Sequence, residues 1–295
     1  MKFQIIHHTT YTYSVPVILQ AHTVRLRPRS DAWQSLHTFS LEVEPTPAGT
    51  SHIIDLDGNV VTRLWFHQHP VEQLVIKTTA SVETHCTNPF NYILEPWAVT
   101  LPLNYPLSLA TQLHPYLHHS SVGYQSLLDP ISIQLGQELW HSSEGHVNAF
   151  LTELNQRIYK TCGHVVRETG APLPPSITWN QQLGSCRDLV VLFMEVCRSV
   201  GLATRFVSGY HEVEPDCAAY LHAWAEVYLP GAGWRGYDPT QGLAVCDRHV
   251  ALVASAHPQQ AAPIHGTFSG TATQTSMHYD LSVLTMPSPS AALND

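Results

Sequence analysis

Gly184-Ser185-Cys186-Arg187-Asp188 runs directly into Leu189-Val190-Val191-Leu192-Phe193-Met194-Glu195-Val196-Cys197-Arg198-Ser199-Val200-Gly201. Leu189, Leu192, Phe193 and Val196 recur at helical spacing, and Gly201 suits the position just past a helix end. The stretch therefore predicts a buried helix with Cys186 at or near its first turn. A thiol placed there meets unpaired backbone N–H groups and the positive end of the helix dipole, and both favour thiolate over thiol. The competing reading is a packing residue, because free Cys is among the most buried residue types. The rest of the chain has to decide between the two.

Downstream of this helix the chain turns to strands. Residues 203–210, 221–229 and 234–237 alternate or are rich in β-formers, and Pro230-Gly231-Ala232-Gly233 supplies a turn between the last two. Helix first and strands after reads as α+β rather than as alternating βαβ units. Upstream, residues 1–100 read as β structure. Phe3, Ile5, His7, Thr9, Tyr11 and Tyr13 alternate with Gln4, Ile6, His8, Thr10 and Thr12, the period-2 pattern of a strand. Val15-Pro16-Val17 interrupts that pattern. Further strands are predicted over 24–29, 38–43 and 71–82, with a hairpin turn at Asp57-Gly58-Asn59. Short strands with regular turn signals predict an antiparallel β-sandwich-like domain.

Between these two parts, residues 88–140 carry Pro89, Pro96, Pro102, Pro106 and Pro115, which break long helices. A helix over 143–160 presents Val147, Phe150, Leu151, Leu154 and Ile158 on one face, with Ser142 or Ser143 as cap. Pro172-Leu173-Pro174-Pro175 marks a rigid loop, and Pro287 to Asp295 is composed like a tail. The expected organisation is a β-rich domain over 1–100, a core with a helical lead-in over 101–284, and a tail over 285–295.

Bulk properties exclude several function classes. A net charge of −9 argues against nucleic acid or an anionic membrane as partner. The N-terminal residues lack the apolar core of a secretory signal, and no run approaches the roughly 20 apolar residues of a membrane span. The expected location is the cytoplasm. Six cysteines, Cys86, Cys162, Cys186, Cys197, Cys217 and Cys246, form no C-x-x-C pair, so neither a zinc knuckle nor a disulfide framework is expected. Among 20 histidines, His7-His8, His67/His69 and His118-His119 have no partners at ligand spacing, and no D-x-D-x-D-G calcium loop is present. No metal or other cofactor is expected.

A thiolate nucleophile needs a base, and the base needs an orienting group. His222 lies 36 residues after Cys186 at the start of the second strand, on the same face as Trp224, Glu226 and Tyr228. Asp238 lies 16 residues further on, at the end of the third strand, where a hairpin would set it beside His222. Each residue also has a plain structural reading: a hydrogen-bonded histidine, and an Asp-Pro turn. Together they form a Cys–His–Asp constellation. Asp188 falls in the first helical turn, where a carboxylate suits the dipole but would oppose a thiolate. It is expected to point away from the sulfur. Arg205 and Glu226 face each other as an ion pair or as substrate contacts. Trp224 and Trp234 read as walls of a cleft.

Four motifs then resemble a known family in the order that family uses. They are Gly184 to Asp188, Arg205-Phe206-Val207-Ser208-Gly209-Tyr210, His222-Ala223-Trp224-Ala225-Glu226-Val227 and Gly233-Trp234-Arg235-Gly236-Tyr237-Asp238-Pro239-Thr240. They look like the bacterial transglutaminase-like superfamily, whose core has a papain-like cysteine-protease topology. Ile5 to Pro16, Arg25-Leu26-Arg27-Pro28-Arg29 and Asp57-Gly58-Asn59 resemble the β-rich N-terminal region of a bacterial subgroup. The resemblance implies Cys186 as nucleophile, His222 as base and Asp238 as orienter. It implies an oxyanion donor in the Cys186 N–H and in an upstream side chain, with Trp179 and Gln182 the candidates among residues 179–182.

The expected function is a cysteine-dependent acyl-transfer enzyme that opens amide bonds of peptides or proteins through a thioester. Hydrolysis is favoured, because water is always present whereas transfer to an amine needs a site that excludes it. The alternatives are a transglutaminase that crosslinks, ligates or deamidates, a non-catalytic peptide-binding module, and metal-dependent hydrolysis through the histidines. Substrate, oligomeric state and the role of the N-terminal domain are not readable at this level.

Overall fold

In a computed structural model, residues 1–118, 120–121, 124–125, 128–212, 219–270 and 274–286 are described. His119, Cys217 and residues 287–295 of the expected tail lie outside them. The N-terminal part is built on one long strand, β1 (Lys2–Val24). It is followed by β2 (Gln34–Glu44), β3 (Gly49–Ile54), β4 (Val60–Trp65) and β5 (Val71–Thr84). The first half of β1 pairs with β5, and β5 with β2; the second half of β1 pairs with β4, and β4 with β3. Pro16 sits where the register of β1 shifts between Thr12 and Val17. The interruption read in the sequence is thus an irregularity within one strand. Asp55 closes the β3–β4 hairpin by accepting from the backbone of Asp57 and Asn59, with Gly58 at φ 77°. The strand expected over 24–29 does not extend: β1 stops at Val24, and Arg25 and Arg29 instead donate to Pro263 and Ala251.

Helices come next: α1 (Leu107–Leu117) and, after the short pair β6 (Ser120–Ser121) and β7 (Tyr124–Gln125), α2 (Pro130–Ser142) and α3 (Val147–Thr161). Val147, Phe150, Leu151, Leu154 and Ile158 are buried as their spacing requires. The cap differs from expectation. Ser142 ends α2, Glu144 and Gly145 turn the chain at positive φ, and His146 precedes α3. Then follow β8 (Gly163–His164), α4 (Pro175–Gln181), β9 (Leu183–Gly184) and α5 (Cys186–Ser199). The helix α4 begins inside the proline run expected as a loop, because Pro175 takes the first helical position, where a missing N–H costs nothing.

The core sheet has the order β13–β12–β11–β10–β14, all antiparallel, from β10 (Thr204–His211), β11 (His222–Leu229), β12 (Gly233–Asp238), β13 (Leu243–Ala244) and β14 (His249–Ser255). The helix α5 packs on β10 and β11 and buries Leu189, Leu192, Phe193 and Val196, each worth about 1.5–3 kcal/mol when removed from water.

The last strands, β15 (Ile264–Ser269) and β16 (Thr275–Met286), do not stay with the core. Both pair with β1. The expected division at residues 100 and 284 therefore needs correction: the final strands of the 101–284 segment complete the N-terminal sheets, because β1 leaves one edge open along each half. Buried side chains from both parts form one continuous core.

Candidate active site

Cys186 takes the first position of α5, and Ser185 caps it. Asp188 closes a capping box: its Oδ2 accepts from the Ser185 N–H at 2.8 Å and hydroxyl at 2.7 Å. Its Oδ1 accepts from Arg167 at 2.6 Å and from the Leu173 N–H at 2.7 Å. The carboxylate turns back from the sulfur and is neutralised there, as the sequence requires of it.

His222 begins β11 and Asp238 ends β12. The His222 Nε2–H donates to Asp238 Oδ2 across 2.6 Å, with both groups buried. Asp238 Oδ1 accepts from the backbone N–H of Thr240 at 2.9 Å and of Gln241 at 3.3 Å, so the Asp-Pro turn also fixes the carboxylate. Burial alone would raise the Asp238 pKa. The charge and hydrogen bond of His222, joined by those of His249, hold it well below the usual carboxylate range. Burial likewise opposes a charge on His222, but Asp238 overcomes it, with the Cys186 thiolate adding to the pull, and His222 rises to about 10. Its Nδ1 is buried and has no partner of hydrogen-bond geometry among the described residues; the Cys186 thiol is the group it acts on electrostatically. For Cys186 itself, burial again resists ionisation. Interaction with His164 and His222 outweighs it and brings the thiol down to about 7. Both shifts favour the thiolate–imidazolium form of the pair.

Two histidines near this pair were not distinguishable in the sequence. His249, at the start of β14, donates from Nε2 to Asp238 Oδ2 at 3.1 Å, so one carboxylate oxygen serves two imidazoles. Burial keeps His249 below its ordinary pKa despite Asp238. His164, on β8, acts on the Cys186 thiol, and its ring stacks on Tyr220 with centroids 6.0 Å apart. Nothing marks either among 20 histidines; only the pairing of β8 with β9 and of β14 with β10 brings them in.

Cys186 and His222 open into a cavity of about 300 Å³ between the core and the N-terminal sheet. Cys186 itself is 8% exposed, so a reagent reaches it through this space. His222, Asp238 and His249 also offer three ligand atoms within 4.8 Å of one another. All three are already engaged in the hydrogen bonds just described.

The family description “Bacterial transglutaminase-like N-terminal region” matches residues 3–83, and “Transglutaminase-like superfamily” matches residues 137–239. Residues 137–239 of the chain are thus similar to the core of the transglutaminase-like superfamily. An uncharacterized protein of Mycobacterium leprae is 24% identical over 294 residues, covering 91% of this chain and 94% of its own. One of Mycobacterium tuberculosis H37Rv is 26% identical over 281 residues, covering 90% and 87%. The crystal structure of a “putative cysteine protease” from Cytophaga hutchinsonii superposes with a TM-score of 0.70 at 20% identity, covering 97% of this chain and 92% of that one. That likeness is one of fold, and it spans the N-terminal region as well as the core. The superfamily match contains Cys186, His222 and Asp238, whereas His249 and β16 lie beyond both matched regions.

Other expected site residues fall elsewhere. Trp179 packs half-buried on α4 and Gln182 is exposed at φ 50°; neither lines the cavity. Trp224 is not a wall but a floor. It is 1% exposed, lying against His249 at 5.2 Å between ring centroids. It fits because Gly209 has no side chain: a Cβ there would stand 2.4 Å from the indole. Trp234 stacks under Arg205 at 4.3 Å and against Tyr116, away from the cavity. Arg205 pairs with Glu226 at 2.6 Å, so the ion-pair reading holds. Of the histidines that suggested metal, His7 bonds Tyr210 and Thr9, and His67 stacks on His69.

Proposed function

We propose that this protein is a cysteine peptidase or amidase working through Cys186, His222 and Asp238. The observation that carries the reading is the placement of Cys186 at the first position of α5 and of His222 on the same cavity, with Asp238 fixed behind the imidazole by four hydrogen bonds. The Cys186 sulfur attacks the acyl carbon of an amide, forming an S–C bond. The resulting oxyanion is met by the Cys186 N–H, at the first helical position where no intrahelical acceptor exists. As the C–N bond breaks, His222 gives its Nδ1 proton to the leaving amine. Water then attacks the thioester, His222 takes up a water proton, and the thiolate departs. Asp238 holds the imidazole in the tautomer that faces the sulfur with Nδ1.

Transfer to an amine in place of water is the second reading, supported by the match of residues 137–239 to the transglutaminase-like superfamily. A cytoplasmic setting is part of the proposal, and the five free cysteines among the described residues are in keeping with it. Mass spectrometry of a peptide library incubated with wild type and Cys186→Ala tests all of these. New termini indicate hydrolysis. A gain of about 1 mass unit indicates deamidation, and a loss of about 17 on joining two peptides indicates crosslinking. No change in any peptide sinks the proposal.

A further inference from the structure

The cavity beside Cys186 is not made by the core alone. On β1, His7, Thr9 and Tyr11 occupy alternate positions and so share one face. On β16, Tyr279 stands opposite Thr9 and Met277 opposite Tyr11. All five line the cavity across from Cys186 and His222. The sheet side is aromatic and apolar and carries no charge among the described residues. His7 could be charged in principle, but both its ring nitrogens are engaged, Nδ1 with the Tyr210 hydroxyl at 2.9 Å and Nε2 with Thr9 at 3.0 Å. Burial, with His8 adding to it, keeps it neutral down to about pH 4. Burial likewise holds the Tyr11 hydroxyl un-ionised, up to about 12.

Apart from the Cys186–His222 pair itself, charge on the cavity is confined to Arg167, Glu168 and Arg187. Arg167 is engaged by Asp188 at 2.6 Å, Arg187 donates to backbone carbonyls of Arg167 and Thr169, and Glu168 is exposed. A charged group pushed towards β1 would lose its water and meet no counter-charge, which is strongly unfavourable. An aromatic ring would meet the rings of His7, Tyr11 and Tyr279 and the Met277 sulfur, contacts that are favourable beyond the area they bury. The volume, about 300 Å³, lies at the small end of ligand sites. It suits one side chain with its backbone rather than a folded segment.

We propose that the N-terminal sheet is the specificity wall of the site, and that it takes an uncharged aromatic side chain of the substrate next to the carbonyl that Cys186 attacks. The inference rests on the peptidase reading for the identity of that carbonyl, but binding can be measured without turnover. The probe is N-acetyl-4-fluorophenylalanine methylamide, observed by fluorine NMR with the Cys186→Ala protein. The phenylalanine amide should displace it at a concentration at least tenfold below that needed for the lysine or glutamate amide. Met277→Trp, which fills the cavity from β16, should weaken the probe tenfold or more. Ile264→Trp is the second filling variant, and circular dichroism melting confirms that each is folded. Equal displacement by charged amides, or unchanged binding in folded variants of both kinds, overturns the wall. Failure of catalysis with these binding results intact overturns only the peptidase reading.

Discussion

His222 and His7 are both buried and face one cavity from opposite sides, yet their basicity moves in opposite directions. His222 rises to about 10 and His7 falls to about 4. Burial acts on both and lowers both. The difference is the partner: His222 has the carboxylate of Asp238, whereas His7 has only the hydroxyls of Tyr210 and Thr9. One wall of the cavity is thereby made of charge held in reserve, and the other of polar atoms held neutral. Between these two histidines the carboxylate decides, whereas at His249, which shares Asp238, burial still prevails.

The strongest way to break this contrast is to remove its charged side. Cys186→Ala and His222→Ala should each abolish peptide turnover, by at least 10³-fold, with the melting curve of Cys186→Ala intact; measurable turnover by either would show that the chemistry lies elsewhere. Asp238→Asn should reduce kcat/KM on the order of 10³-fold or more, because the imidazole loses its orienting acceptor. In that variant the acid limb of the pH profile should move upward, since a less basic His222 stabilises the thiolate less. An unmoved limb would separate Asp238 from His222.

On the proposed mechanism the active pair in the wild type is thiolate with imidazolium. Activity should rise with pH through about 7, as Cys186 loses its proton, and fall through about 10, as His222 loses its own. The same difference should appear in alkylation. At pH 7, iodoacetamide should modify Cys186 at least a hundredfold faster than Cys162 and Cys86, whose thiols burial pushes up to about 11. Mapping by peptide mass spectrometry gives the ratio, and equal rates would dispose of the ion pair.

His7 gives a prediction of opposite sign. Its folded pKa is lowered from 6.5 to about 4, so the unfolded chain binds a proton that the folded one refuses. Stability is fully present above pH 6.5 and falls between there and pH 4, by up to about 3 kcal/mol from this residue. His7→Gln should flatten that part of the urea-denaturation profile, and an unchanged slope would mean that His211 and His249 carry it. A smaller effect still is expected of Gln182→Gly, which should leave kcat/KM within about threefold. A loss of 10²–10³-fold, as for a true oxyanion donor, would restore Gln182 to the site.

Much of this arrangement was legible in the sequence, and the limits have physical reasons. Cys186 was found through helix periodicity and the orientation of Asp188 through the helix dipole, both properties of a few adjacent residues. His222 and Asp238 were reachable because one hairpin joins their strands. His249 and His164 were not, since their neighbours are set by sheet order and by a two-residue parallel pairing. Trp224 and Trp234 were misplaced for a related reason. Alternation gives the face of a strand, but not whether another layer covers it. The wall from His7, Thr9 and Tyr11 was present as a pattern in the first thirteen residues, without any sign of what it would face.

The pairing of β1 with β16 carries a consequence for how the protein is made. Lys2 and Met286 are partners in that ladder, so the ribosome must add 284 residues after Lys2 before the two can pair. At roughly 5–20 residues per second, that is a delay of about 15–60 s. Such a distant contact also closes late, because the chain must order before the pairing rewards it. The thiolate end of α5 and the Asp238 hairpin can form while β16 is still absent. The cavity thus acquires Tyr279 and Met277 only when the final strand docks, so selectivity is added last to a site whose reactivity is already in place.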